Sequence, residues 1–205
     1  MSETEIRVRV DPLRVLDLAQ SRMITVIAAL RDDDWSRPTP CPEWSVRDIV
    51  NKMVASTWSF TEFAHRRRPE PPWDLIHPAE VIGDDPLGVY LAAAAACRDA
   101  WRRPGALEGV APSTQGEFPA KAVINARIFD TTILQWDVAV ATGQSVLIDD
   151  EQAAYVLRIA RALVPMVRGK DPARFGAPDP AEGRTLVDQM VAASGRDPDW
   201  TPPAR

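Results

Sequence analysis

Pro38-Thr39-Pro40-Cys41-Pro42-Glu43-Trp44-Ser45-Val46-Arg47-Asp48-Ile49-Val50-Asn51-Lys52 joins a stiff loop to the start of a helix. Three prolines within five residues hold positions 38–42 extended and keep them out of a helix interior. Ser45 followed by Asp48 has the Ser-x-x-Asp spacing of a capped helix N-terminus, so the helix begins near Ser45. Beyond it, Val46, Ile49, Val50, Met53, Val54, Thr57 and Phe60 recur at steps of three and four, the apolar stripe of a helix directed at a core. Lys52 falls outside the stripe, on a flank with Ser45, Ser56 and Ser59 that suits either open solvent or the wall of a polar cleft.

Other helix starts are equally local. Asp11-Pro12 and Asp85-Pro86 each put a capping acid before a proline at the first helical position, and Asp149 or Asp150 can cap a later segment. The expected helices run from about Pro12 to Leu30, Val46 to Arg67, Pro86 to Arg102 and Ala120 to Thr142, where Gly143 supplies a stop, followed by a shorter one from Glu151 to Val164. Pro69 to Asp84 and Pro104 to Pro119 read as long crossovers. The expected fold is all-α, a four-helix bundle with long crossover connections and extra short C-terminal helices. Residues 1–168 would form the bundle, and 169–205 a tail with one short helix near Thr185 to Ala193 laid over it.

Composition narrows the function. A chain of 205 residues, 45% hydrophobic and 26% charged, is ordinary for one soluble domain. A net charge of -5 would repel polyphosphate, which argues against nucleic acid as a partner. The Arg66-Arg67-Arg68 run reads as a cationic helix end facing water. No apolar run approaches the roughly 20 residues of a membrane span, and the polar, acidic N-terminus is unlike a signal, so no membrane and a cytoplasmic location are expected. Cys41 and Cys97 read as reduced thiols; Cys41 precedes a helix start that can activate a thiol, but its flanking prolines favour a buried loop contact.

The fourth helix is apolar nearly all round and therefore central, so its polar groups need partners. Arg127, Asp130, Leu134 and Asp137 project on one side, and Arg127 with Asp130 is a natural ion pair whose plainest role is to satisfy itself. His65 and His77, the two histidines, belong to no nucleophilic triad, and Glu62-x-x-His65 is one copy of a di-iron spacing that needs two. Glycine-rich phosphate loops are absent.

Pro38 to Met53, taken with Phe129-Asp130-Thr131-Thr132-Ile133-Leu134-Gln135-Trp136-Asp137-Val138-Ala139-Val140-Ala141-Thr142-Gly143-Gln144, resembles the DinB-like metal-binding domain of mycothiol-dependent maleylpyruvate isomerases and related actinobacterial proteins. Gly195-Arg196-Asp197-Pro198-Asp199-Trp200 extends the similarity over most of the chain. The resemblance implies a cleft in which a histidine of the second helix meets a carboxylate and a histidine, four residues apart, on the fourth. Such a set suits zinc or a similar divalent ion, and the resemblance brings mycothiol as the thiol.

This chain departs from that pattern: Lys52 and Leu134 stand at the histidine positions, and only the carboxylate is kept, as Asp130. A protonated lysine cannot ligate and leucine has no donor, so no metal is expected to be held. In the cleft, the Lys52 ammonium would replace the metal's charge beside Asp130, with Lys52, Asp130 and Arg127 as catalytic candidates and Trp58, Leu134 and Trp136 as substrate contacts; a plain surface lysine is the alternative. The expected function is a metal-independent relative acting on or binding a small organic molecule, with isomerase- or transferase-type chemistry. The alternatives are a non-catalytic binding protein that has lost the metal site, or a partner-binding protein using the crossover around Trp73. Whether the chain forms a homodimer is left open.

Overall fold

The computed structural model describes residues 10–69, 74, 79–170, 175–176, 181 and 183–203; Trp73 and His77 lie outside them, as does part of the first crossover. Six helices and one hairpin are described: α1 Pro12–Ala28, α2 Val46–Ala64, α3 Pro86–Arg102, β1 Val110–Ser113, β2 Gly116–Pro119, α4 Ala120–Thr142, α5 Asp150–Lys170 and α6 Leu186–Ala193. The capping residues act as read. Asp11 accepts from the Leu13 N–H and Asp85 from the Gly88 N–H, while Ser45 and Asp48 exchange side-chain-to-backbone bonds across the first turn of α2. Gly143 takes the left-handed conformation, φ 70°, that ends α4.

The four long helices α1 to α4 form the bundle, with α1 beside α3 and α4, and α2 beside α3 and α4. α5 packs on α4, and α6 on α5. Two apolar clusters fill the interior: one gathers Phe60, Trp101, Phe129 and Trp136, and the other Met23, Ile49, Met53 and Leu134. α4 contributes to both, as its nearly continuous apolar surface requires.

Four expectations change. α1 stops at Ala28 rather than Leu30, the chain leaving through a tight turn in which Leu30 N–H bonds to Ile27 O. α2 ends at Ala64, not Arg67, because His65 caps it and Arg66 takes a left-handed φ of 62°. Arg66, exposed like Arg67 and Arg68, also donates its guanidinium to the carbonyls of Gly105, Ala106 and Glu108 and so fastens the second crossover to the end of α2. That crossover contains an antiparallel hairpin, Ala111 opposite Phe118, so the fold is helical with one small sheet. α5 continues six residues past the expected stop at Val164 and through Pro165. Burial of Val164 and Val167 offsets the hydrogen bond that the proline forfeits.

The tail is tied back. Arg196 donates to Asp137 of α4 at 3.0 Å and to the Cys41 sulfur at 3.3 Å, joining tail, bundle and proline loop at one buried point. Among the described residues no helix is long and apolar enough to cross a membrane.

Candidate functional site

Lys52 and Ser56 lie one turn apart on α2, and Arg127 and Asp130 one turn apart on α4, so the packing of these two helices brings all four together. The Lys52 Nζ donates to Asp130 Oδ1 at 2.9 Å, and the Ser56 hydroxyl donates to Oδ2 at 2.8 Å. Arg127 Nη1 donates to Ser56 Oγ at 3.0 Å and reaches Asp130 Oδ2 at 3.4 Å, while Nη2 donates to Thr57 Oγ1 at 2.6 Å and to the Met53 sulfur at 3.0 Å. The flank on which the sequence puts Lys52 thus faces Asp130. Its side chain is 11% exposed and its ammonium lies 5.6 Å from the centre of the Trp44 ring.

Burial pushes the Asp130 carboxyl up, but the Lys52 charge, then that of Arg127, and the bonds from Lys52 and Ser56 outweigh it and bring the pKa down to about 2. At neutral pH Asp130 is therefore a fixed carboxylate that accepts hydrogen bonds. The Tyr90 hydroxyl, fully buried near Arg127, is pushed up by burial, which the Arg127 charge only partly opposes.

Asp130 also forms part of a cavity of about 140 Å³ bounded by α2, the hairpin, α4, α5 and Phe175. Ser56 and Asp130 border it from the bundle and Ser113, Thr114 and Gln115 from the hairpin, while Phe60, Phe118, Phe129 and Phe175 make much of its apolar wall. A larger groove of about 460 Å³ between α5 and α6, bordered by Arg161 and Arg168, shares no residue with it and holds no carboxylate.

Lys52, Asp130 and Arg127 are thus gathered into one cluster. Trp58, Leu134 and Trp136 are not brought to the cavity: Trp58 is half-buried against one core cluster, Leu134, 2% exposed, belongs to that same cluster, and Trp136, 4% exposed, belongs to the other. Sequence reasoning missed Ser56 as a partner of Asp130 although the helical wheel puts it on the flank of Lys52. It named Phe60 only as a stripe residue and Phe129 only within the motif, and it missed Phe118 and Phe175.

The donor chemistry at the three positions does not fit a metal. Lys52 spends its ammonium on the one carboxylate, and Leu134 is packed in apolar core with no donor atom. Among the described residues no three of His, Cys, Asp or Glu gather where they would hold an ion. His65 sits at the end of α2 with Nδ1 against Arg103, its pKa lowered by burial and by that neighbouring charge. Cys41 is a half-buried loop contact rather than a buried one, its thiol pushed up to about 12 by desolvation and by Asp137.

Comparison with known proteins agrees with this architecture. The family model described as mycothiol maleylpyruvate isomerase N-terminal domain matches residues 16–139. An uncharacterized protein of Mycobacterium tuberculosis, Rv0738 in strain H37Rv and MT0763 in strain CDC 1551, is 34% identical over 193 residues, covering 91% of this chain and 98% of its own. Crystal structures of the mycothiol-dependent maleylpyruvate isomerase and of its histidine-to-alanine mutant superpose with a TM-score of 0.68 over 92% of this chain and 89% of theirs, at 14% identity. At that identity the likeness is one of fold.

Proposed function

The chain belongs to the mycothiol maleylpyruvate isomerase N-terminal domain family, and from that membership we propose that it is a metal-independent branch that binds a small organic molecule in the cavity walled by Asp130. The observation that carries this reading is the double role of one carboxylate. Asp130 borders a largely apolar cavity beside Ser56 and is held from behind by Lys52 and Arg127. In this reading the charges of Lys52 and Arg127 stand in for the divalent ion of the family's pattern, and neither side chain borders the cavity.

Binding is favoured over turnover by the same geometry. A carboxylate with a pKa of about 2 is a weak base, and the nearby cations are engaged with it rather than turned to the cavity. The second reading, isomerase- or transferase-type turnover with mycothiol as the thiol, draws on the family and on the carboxylate kept at its position. Steady mycothiol-dependent conversion of maleylpyruvate by purified protein would establish it.

A ligand-detected NMR screen of small organic fragments tests the binding reading. Hits should bind the native chain and be lost in Ala126→Phe, which fills the cavity from α4 and leaves every residue of the ion cluster in place. Hits that survive this substitution would place the site elsewhere. Stoichiometric zinc or nickel in purified protein would overturn metal independence.

A further inference from the structure

We propose that the cavity takes a neutral, single-ring molecule carrying one hydrogen-bond donor, a phenol or an aryl alcohol, and that Phe175 sets the size of the ring it admits. This rests on the binding reading above and names the class of ligand.

The polar requirement follows from what faces the cavity. Its charged lining residue is Asp130, the other polar ones being the neutral Ser56, Ser113, Thr114 and Gln115, whereas Lys52 does not line it and Arg127 is fully buried with both Nη atoms engaged. A ligand at the Asp130 end therefore meets a fixed acceptor, and a carboxylate ligand there would set one carboxylate against another with no cation lining the cavity. An ionised carboxylate accepts about four hydrogen bonds. Lys52, Ser56 and Arg127 supply three, which leaves room on Asp130 for one donor.

The ring requirement follows from the rest of the wall. Phe60, Phe118, Phe129 and Phe175 border a space of about 140 Å³, close to the roughly 150 Å³ apolar cavity that takes one benzene. Phe175 stands edge-on to Phe129, ring centres 6.1 Å apart at 69°.

Phe175 comes from outside the bundle, and its position is set by a backbone crossing. Adjacent Gly176 meets Gly195 so closely that a β-carbon on Gly176 would lie 2.3 Å from Gly195 O, and one on Gly195 would lie 2.6 Å from Gly176 N. Gly195 also has φ 81°, where a side chain is strained. Arg196, the next residue, is fastened to Asp137. The Phe175 wall is thereby referenced to α4 through two glycines and one ion pair.

Binding of phenol, benzoate and 2-naphthol to the full chain, measured by calorimetry, tests the proposal. Phenol should bind at least about tenfold tighter than benzoate. Phe175→Ala should raise the 2-naphthol-to-phenol affinity ratio by about tenfold or more, and Phe175→Leu should move it the same way by less. Gly195→Ala, which touches no cavity atom, should raise the ratio by displacing Phe175. Benzoate binding as tightly as phenol, or a ratio unmoved in folded Phe175→Ala and Phe175→Leu, overturns the proposal. If other fragments bind in the Asp130 cavity and none of these three does, the ligand class is wrong and the binding reading stands; if no fragment binds there, both fall.

Discussion

Lys52 and Asp130 are joined across the interface of α2 and α4 by a 2.9 Å bond from Nζ to Oδ1, and the carboxylate's other oxygen is held by Ser56. Residues 78 apart along the chain thus link the two helices by charge as well as by apolar packing. Removing one partner of such a pair leaves the other poorly compensated, so Lys52→Met should lower the free energy of unfolding by about 1–3 kcal/mol at pH 7. A double-mutant cycle with Asp130→Asn, followed by urea denaturation, should return a coupling of about 0.5–3 kcal/mol. Additive effects would show that the pair contributes nothing beyond its separate residues.

The same carboxylate makes a prediction about acid. Its pKa in the folded chain, about 2, lies below the 3.8 of a free aspartate. A carboxyl depressed on folding stabilises the fold above its unfolded value, and that stabilisation is lost as pH falls from about 4 toward about 2. A difference of this size corresponds to about 2 kcal/mol. Measured from pH 6 down to pH 2.5, the stability gap between the native chain and Asp130→Asn should narrow; a gap independent of pH would contradict the shift.

Helix starts were legible because capping is local: Asp11-Pro12, Asp85-Pro86 and Ser45 with Asp48 each carry their signal within a few residues. Ends were less legible where tertiary contacts overrode the local signal. Pro165 reads as a stop but lies on the exposed side of α5, which the buried Val164 and Val167 hold in place, and Arg66 leaves α2 early because three carbonyls of the second crossover accept its guanidinium. The hairpin's two four-residue strands are too short for periodicity to distinguish from loop. Of the site, Lys52, Asp130 and Arg127 were reached through helical spacing and family pattern. The cavity wall was not, because Phe118 and Phe175 come from segments that meet α4 only in the folded chain.

Arg196 and Asp137 anchor the tail. Asp137 is fully buried, so Arg196→Ala would leave an uncompensated carboxylate and should cost about 3–5 kcal/mol. Burial of the Arg196 guanidinium opposes its charge, but Asp137 and then Cys41 outweigh this and hold its pKa raised, so the ion pair persists across ordinary pH. Cys41, with its thiol pushed up to about 12, should resist alkylation at pH 8 in the folded protein and react promptly in denaturant. Faster native-state labelling of Cys41 in Arg196→Ala, followed by mass spectrometry, reads the release of the tail; unchanged labelling would uncouple the two.

If Lys52 and Leu134 are what separate this chain from a metal-holding relative, restoring the family's donors should restore the ion. Asp130 and position 134 lie one turn apart on α4, and Lys52 already contacts Asp130, so Lys52→His with Leu134→His would point three donors at one place. Without metal the double variant should be less stable by about 1–3 kcal/mol, because a polar ring replaces buried Leu134 and Asp130 loses its ammonium. Zinc binds the folded form, so it should raise the melting temperature of the variant in proportion to the logarithm of its concentration and leave the native chain unchanged. Calorimetry should give one zinc per double variant and none for either single substitution. Tight zinc binding by the native chain, or none by a folded double variant, would mean that other features of the site decide whether it holds a metal.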